Sequence, residues 1–160
     1  MNTNSDNPKV GKQFQMEVKR WLEEDKLLSF VLEKRIAIGN PAKLHGFDIV
    51  DTDCRIVVEC KCYTWTETGN VPSAKMGFVN EAAFYLSLLP DTVDKAIVML
   101  RATHQRRKET LAEYYFRTNR HLLGKTKIME FDMNTKKMIL VGPTSSEVYY
   151  PKIDDSGIPR

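Results

Sequence analysis

The sequence has few cysteines and no arrangement of them that predicts a disulfide framework. All three thiols, Cys54, Cys60 and Cys62, fall in one short stretch of the 160-residue chain, without a partner elsewhere. Their odd number and the lack of two zinc-type C-x-x-C pairs favour reduced, packed thiols over disulfides or a metal-thiolate centre. Such thiols are typical of a cytoplasmic protein.

The sequence also lacks long apolar segments. No run approaches the roughly 20 apolar residues that span a bilayer, and the start, MNTNSDNPKV, lacks the apolar region of a secretory signal. We therefore expect a cytoplasmic protein without a membrane partner. With 42% hydrophobic residues, the chain is expected to have a flexible N-terminus at 1–8, one folded domain at 9–143 and an irregular C-terminal tail at 144–160.

The net charge of +3 is too small to indicate a nucleic-acid partner, but its distribution is uneven. Between 101 and 127, eight basic residues accompany two acidic ones, so this segment carries +6 and the remainder −3. Basic charge gathered on one helix and its flanks is typical of a protein that binds a polyanion such as DNA. A solvated helix face without a partner would have the same composition.

Hydrophobic periodicity predicts three helices and six strands. The helices are expected at 9–28, 72–89 and 105–123, and the strands at 29–38, 47–50, 54–61, 95–100, 127–131 and 137–141. This order predicts an α/β fold with a mixed central sheet flanked by helices. An α-β-β-β-α-β core would be followed by an added basic helix and a C-terminal β-hairpin.

The stretch FDIVDTDCRIVVECK, at 47–61, changes from apolar to charged within one strand. Because side chains alternate along a strand, Glu59 and Lys61 should emerge on one face, while Ile56, Val58 and Cys60 pack on the other. We therefore expect an acid and a base side by side at the end of a strand whose other face is core.

The position of Asp48 depends on the register of the hairpin. A turn centred on 52–53 would place Asp48 opposite Val57, on the face of Glu59 and at a diagonal Cα separation of about 7–8 Å. A shift by one residue would turn Asp48 away and take the apolar Phe47 and Ile49 off the core face. The register that gathers Asp48, Glu59 and Lys61 is therefore expected.

Two acids and a lysine over an apolar layer are costly unless a ligand uses them. Mg²⁺ prefers hard oxygen ligands and keeps sites for water and phosphate, so Asp48, Glu59 and the backbone carbonyl of Cys60 are predicted metal ligands, with Mn²⁺ as a substitute. Such an ion could activate a water and polarise a phosphodiester, while Lys61 orients the water or neutralises developing charge. An ordinary surface hairpin with an i, i+2 charge pair is the alternative.

With Asp48 followed by Glu59-Cys60-Lys61, the sequence resembles the PD-(D/E)XK nuclease superfamily, although Phe47 stands where that motif has proline. The superfamily has the α-β-β-β-α-β core predicted for roughly the first two-thirds of the chain. The resemblance implies a restriction endonuclease-like fold and a Mg²⁺-dependent DNA endonuclease with Asp48, Glu59 and Lys61 as catalytic residues. Some branches, including those similar to Holliday-junction resolvases, add a glutamate from the first helix, a role that Glu17 would fill.

Several other residues are candidates for contact with DNA. Tyr63 and Trp65 could stack on bases, although Trp65 could equally pack over the sheet. His45 could contact phosphate, or it could be a loop histidine without a function. Lys75 lies on the helix that could reach the substrate backbone. The candidate phosphate contacts in the basic segment are Arg106, Arg107, Arg117 and Arg120.

Cleavage of a duplex would favour a homodimer or a subunit of a larger DNA-processing complex, since one chain offers one active site. A non-catalytic nucleic-acid-binding or assembly module of the same fold is the competing function. An RNA-directed nuclease is a third, because no motif reads the 2′-hydroxyl.

Overall fold

Residues 7–143, the part of the chain that the computed structural model describes, form three α-helices and six strands in the predicted order. The expected tail at 144–160 and residues 1–6 of the expected N-terminus lie outside the described residues, and Pro8 already belongs to α1. No helix between residues 7 and 143 is both long and apolar enough to cross a membrane. The elements are α1 (Pro8–Lys26), β1 (Phe30–Ile38), β2 (Lys43–Asp51), β3 (Ile56–Lys61), α2 (Ser73–Ser87), β4 (Asp94–Leu100), α3 (Leu111–Asn119), β5 (Lys127–Asp132) and β6 (Lys137–Gly142).

The six strands form one mixed sheet, in which their spatial order equals their order in the chain. Strands β3, β4 and β5 are mutually parallel, whereas β1, β2 and β6 pair antiparallel with their neighbours. Helix α2 connects β3 to β4 and α3 connects β4 to β5, as parallel pairing requires. We call the side of the sheet where β3, β4 and β5 end the carboxyl edge, and the side where they begin the amino edge.

The sheet is buried on both faces. Helix α1 covers one face through Phe14, Val18 and Leu22, which pack in a cluster with Val58. Helices α2 and α3 cover the other face, where Val57 is fully buried. The α/β prediction is confirmed, but β3 has apolar packing partners on both faces rather than on one.

The β1–β2 hairpin is kinked at Glu33, which has a positive φ of 56°. The two strands pair on either side of this point, without a Glu33–Asp48 pair. Leu32 packs on the α1 face, whereas Ile36, of the same parity in β1, packs on the α2 face. The outer part of the hairpin is therefore turned over relative to the inner part.

This kink separates two residues that were expected to share a face. Phe47 lies in the core under α2, whereas Ile49 lies in the core under α1. Asp48 also faces α2, so the consecutive residues Phe47 and Asp48 lie on the same side of the sheet. The simple alternation assumed for β2 therefore holds from Asp48 to Val50 but fails at Phe47.

Helix α3 begins later than predicted, at Leu111 instead of 105. Thr110 caps the helix: its side chain accepts the Glu113 N–H, and the Glu113 carboxylate accepts the Thr110 N–H. This reciprocal capping box, which the sequence Thr110-x-x-Glu113 signals, fixes the start of the helix. Arg106 and Arg107 consequently lie in a loop that joins β4 to α3.

The turn between β2 and β3 is organised by the buried side chain of Asp51. Its carboxylate accepts hydrogen bonds from the backbone N–H of Asp53 (3.3 Å), Arg55 (2.6 Å) and Ile56 (2.7 Å). These bonds hold the turn, so that strand pairing begins at Val50 and Val57.

We predict that Asp51→Ala lowers the free energy of unfolding by about 2–3 kcal/mol, because three backbone N–H groups lose a buried, charged acceptor. Urea denaturation measures the change. Asp53→Ala is the matched control, since the exposed Asp53 side chain only pairs with Arg55 and should contribute less than about 1 kcal/mol. Equal effects of the two substitutions would contradict this role of Asp51.

Candidate active site

Strands β2 and β3 part at Asp48. The register pairs Val50 with Val57 and Ile49 with Val58, so Asp48 lies level with Glu59 and not, as predicted, with Val57. The shift from the predicted register is two residues, an even number, so Asp48 still lies on the face of Glu59. Beyond this point the Cys60 N–H donates to Asp48 Oδ2 at 2.7 Å instead of to the backbone of β2.

The Cys60 carbonyl, the predicted backbone ligand of the metal, lies on the same side of β3 as Asp48. In a β-strand the N–H and C=O of one residue point toward the same neighbouring strand. Since the Cys60 N–H points to Asp48, the Cys60 carbonyl also faces the gap between β2 and β3. The Cys60 side chain packs instead on the α1 face, where burial raises the pKa of its thiol well above the usual range.

A cleft of about 490 Å³ opens where the two strands separate. Its floor contains Asp48, Glu59 and Lys61, so the structure brings together the three residues of the predicted motif. Helix α2 forms the opposite wall with Phe78, Glu81, Ala82 and Tyr85. The cleft is open to solvent at the end of β3, where Tyr63 lines its rim.

The carboxyl group of Glu59 is strongly perturbed. Its side chain is only 7% exposed, and burial, a hydrogen bond with Asp48 and the charge of Asp48 raise the pKa of Glu59 to about 9, although Lys61 lowers it in part. Near pH 7 Glu59 therefore retains its proton. A divalent cation between these carboxylates would displace that proton and relieve their repulsion.

These donors fit Mg²⁺ better than a metal that needs a closed protein cage. Among residues 7–143, no group of three or more His, Cys, Asp or Glu side chains is arranged to hold a metal. The protein offers two carboxylates and a carbonyl, all hard oxygens. Mg²⁺ is usually held by one or two carboxylates and completes its shell with water and phosphate.

His45 also lies in the cleft, although the sequence favoured a loop histidine without a task. Its Nε2 atom is 3.6 Å from Glu59 Oε1, and its ring stacks on Tyr85 with centroids 3.8 Å apart. Burial lowers the pKa of His45, so the imidazole is neutral at pH 7. Its position follows from the kinked outer part of β2, which the sequence pattern did not reveal.

Glu17 does not reach the cleft. Its carboxylate pairs with Arg20 at 3.5 Å and with Lys136 at 3.8 Å, and α1 packs on the face of the sheet opposite α2. A smaller cavity at the end of β3, next to Cys62, is lined from α1 by Pro8, Gly11, Phe14 and Gln15. The structure thus separates Glu17 from the other expected catalytic residues.

The two aromatic candidates have different environments. Tyr63 lines the cleft, with Lys75 Nζ 5.3 Å from its ring centroid. Trp65 is only 4% exposed and donates its Nε1–H to the carbonyl of Ala102 at 3.1 Å. Trp65 therefore has the packing role that the sequence left open, and its ring has no free face for a base.

Three of the four candidate arginines are engaged within the protein. Arg107 covers Trp65, Arg106 donates to the carbonyl of Thr68, and Arg117 forms a two-point ion pair with Glu109. Arg120 is exposed but follows α3, on the side of the sheet where β5 begins. The predicted basic surface is therefore divided between the two edges of the sheet.

We predict that the metal-free protein becomes less stable as pH rises. Because the pKa of Glu59 increases from 4.5 in the unfolded chain to about 9 in the folded protein, the folded state binds the extra proton between these values. The free energy of unfolding should fall across this window by at most about 1.4 kcal/mol per pH unit. Glu59→Gln, which does not titrate, should remove most of this fall.

Urea denaturation in EDTA at about pH 5.5 and about pH 8.5 measures the difference between wild type and variant. Glu24→Gln, a substitution on the exposed surface of α1, should retain the wild-type dependence. A Glu59→Gln variant whose stability falls with pH as steeply as that of the wild type would contradict the raised pKa.

Comparison of the chain with protein-family models, with curated proteins and with solved structures finds no match. The function proposed below therefore depends on the geometry of the cleft and on the motif that lines it.

Proposed function

We propose that the protein is a Mg²⁺-dependent DNA endonuclease with a restriction endonuclease-like fold, similar to the PD-(D/E)XK nucleases. The observation that carries this proposal is the cleft at the parting of β2 and β3. There the level carboxylates of Asp48 and Glu59 lie beside Lys61 in a space open to solvent. A binding surface without chemistry has no physical reason to keep two repelling carboxylates together.

The metal would be held by Asp48, Glu59 and the Cys60 carbonyl. Bound Mg²⁺ supplies positive charge to a phosphate and lowers the pKa of a coordinated water. Asp48 is already oriented by the Cys60 N–H, and Glu59 by burial against the sheet, so neither side chain must reorganise much to bind. Such preorganisation favours a divalent ion over the proton that Glu59 otherwise holds.

Lys61 would act on the phosphodiester itself. Its ammonium lies on the same face as Glu59 and makes no hydrogen bond or ion pair with other described residues. It is thus available to orient the attacking water and to neutralise charge that develops on the phosphate. In the hydrolysis, a water oxygen bonds to phosphorus, the bond to one sugar oxygen breaks, and a proton from the water ends on that leaving oxygen.

The substrate proposal depends on charge and on the opening of the cleft to solvent. An open groove with Lys61 in its floor and further cations on adjoining loops suits an extended polyanion better than a small neutral molecule. Since one chain has one such cleft, cutting both strands of a duplex would require a homodimer or a partner within a DNA-processing complex.

We predict that Asp48→Ala and Lys61→Ala each reduce cleavage at least about 100-fold, because the first removes a metal ligand and the second an electrostatic contact to the reacting phosphate. Nicking of supercoiled plasmid and cleavage of a labelled four-way junction, with Mg²⁺, Mn²⁺ or EDTA, measure the effect. Glu24→Ala, in the exposed part of α1, is the matched control. Metal-independent binding of DNA without any cleavage, unchanged in Lys61→Ala, would favour a non-catalytic module instead.

The Glu17→Ala variant tests whether Glu17 takes part in cleavage, as the family resemblance implies, or not, as its position in the structure indicates. The Glu17 carboxylate pairs with Arg20 and Lys136 on the α1 side, away from the reacting groups. Because loss of these partly exposed ion pairs should lower stability by only about 1 kcal/mol, we expect the variant to fold and to cleave within about threefold of the wild-type rate. The same plasmid assay, run under single-turnover conditions, measures this rate. A loss as large as that of Asp48→Ala would show that Glu17 reaches the reacting groups.

A further inference from the structure

Two loops that leave the carboxyl edge are fastened to each other by a row of hydrogen bonds. We call them the paired loops: 62–72 follows β3 and 101–110 follows β4. Side chains of the second loop contact three consecutive carbonyls of the first. His104 Nε2 lies 3.0 Å from the Glu67 carbonyl, Arg106 donates to Thr68 at 3.4 Å, and Arg107 Nε donates to Gly69 at 2.6 Å.

Trp65 and Gly69 further stabilise the contact between the paired loops. The buried indole of Trp65 donates to the Ala102 carbonyl, and the Arg107 guanidinium lies 4.5 Å from its ring centroid. Gly69 has a φ of +82°, and a Cβ atom there would approach His104 Nδ1 to 2.7 Å. No larger residue fits this position without displacing His104, so the two loops form one preassembled element.

The paired loops lie next to the cleft and carry an excess of positive charge. They continue from the parallel strands at the edge where Glu59 and Lys61 lie, which is where ligands of open α/β sheets bind. Their acidic residues are Glu67 and Glu109, and Glu109 is paired with Arg117. Their basic residues are Arg101, Arg106, Arg107 and Lys108.

These four cations are not equivalent. Arg101 pairs with the buried Glu130, and Arg107 is held between Trp65 and Gly69. Arg106 is exposed and makes one long bond, while Lys108 is exposed and has no ion pair or hydrogen bond with another described residue. The charged groups of Arg106 and Lys108 are therefore available to contact a partner.

We propose that the paired loops are a preassembled contact element for the DNA backbone beside the scissile phosphate, which deepens the proposed function and rests on it. Lys108 and the outer donors of Arg106 contact phosphates, while Arg107 and His104 are positioning residues that hold these contacts in place. Phosphate contacts fix the register of DNA on a protein. A rigid element makes them without the entropy loss of ordering two separate loops.

The test measures affinity separately from cleavage. Fluorescence anisotropy of a labelled duplex, titrated in EDTA over a range of salt concentrations, gives the Kd and its salt dependence. Lys108→Ala should weaken binding several-fold and reduce the slope of log K against log salt by about 0.9, the value for one phosphate contact. Lys125→Ala is the matched control, because exposed Lys125 pairs with Asp91 at the amino edge.

Arg107→Lys separates the positioning role from simple charge. The variant keeps the charge but loses the planar donor that fits between Trp65 and the Gly69 carbonyl. We expect its Kd and KM for DNA to rise about tenfold with little change in kcat at saturating DNA, whereas a role as a plain cation predicts wild-type values. Gly69→Ala should reproduce the loss of affinity without changing any charge, and the melting temperature verifies that both variants are folded.

The outcomes distinguish this proposal from the proposed function. If Lys108→Ala and Arg107→Lys bind as tightly as wild type while the wild type cleaves plasmid, the contact element is wrong and the endonuclease proposal stands. If binding depends on these residues but no DNA is cleaved, the contact element stands without the nuclease. A preference for an RNA duplex over DNA, or failure of the wild type to bind DNA, overturns the contact proposal.

Discussion

The hydrogen bond from the Cys60 N–H to Asp48 is the interaction on which the cleft depends. In an uninterrupted antiparallel pair, that N–H would bond to the neighbouring backbone and the two strands would stay about 5 Å apart. Here the side chain of Asp48 replaces the backbone acceptor, so β3 keeps its hydrogen bond while β2 moves away. The same bond orients one carboxylate beside Glu59 and leaves the Cys60 carbonyl facing the gap. The same hydrogen bond therefore accompanies the end of β2–β3 pairing and orients the residues of the candidate site.

Two aspartates of β2 show how environment separates structural from functional acids. Asp51 is fully enclosed and accepts three backbone N–H bonds, so its charge is compensated and it stabilises the turn. Asp48 accepts one N–H and faces a second carboxylate, Glu59, whose pKa is raised by burial and by the neighbouring Asp48. The first arrangement is complete within the protein, whereas the second is improved by a cation. That difference, and not the residue type, is why we propose Asp48 as a metal ligand.

The order of elements and the grouping of Asp48, Glu59 and Lys61 could be predicted because both follow from periodicity. A register error of two residues leaves that periodicity unchanged, so the partner of Asp48 could not be predicted even though its face could. The kink at Glu33 has no sequence signal, since glutamate rarely adopts a positive φ and does so here under tertiary constraint. It also moved His45 into the cleft. Glu17 was misplaced for a related reason: an amphipathic stripe identifies the buried side of a helix but not which face of the sheet it covers.

The basic segment shows why charge counted along a sequence differs from charge presented to a partner. Its excess of +6 between 101 and 127 divides in space, because α3 carries the chain from the carboxyl edge back to the amino edge. Arg107 and Arg117 contact Trp65 and Glu109, so these two arginines stabilise the protein surface and have fewer donors left for a partner. An arginine that donates to backbone carbonyls still attracts a distant anion by its charge. Its directional hydrogen bonds, however, fix only the protein residues that it contacts. The basic residues of this segment therefore form two groups: Arg106 and Lys108 are exposed on the loops beside the cleft, whereas Arg107 and Arg117 are held by contacts within the protein.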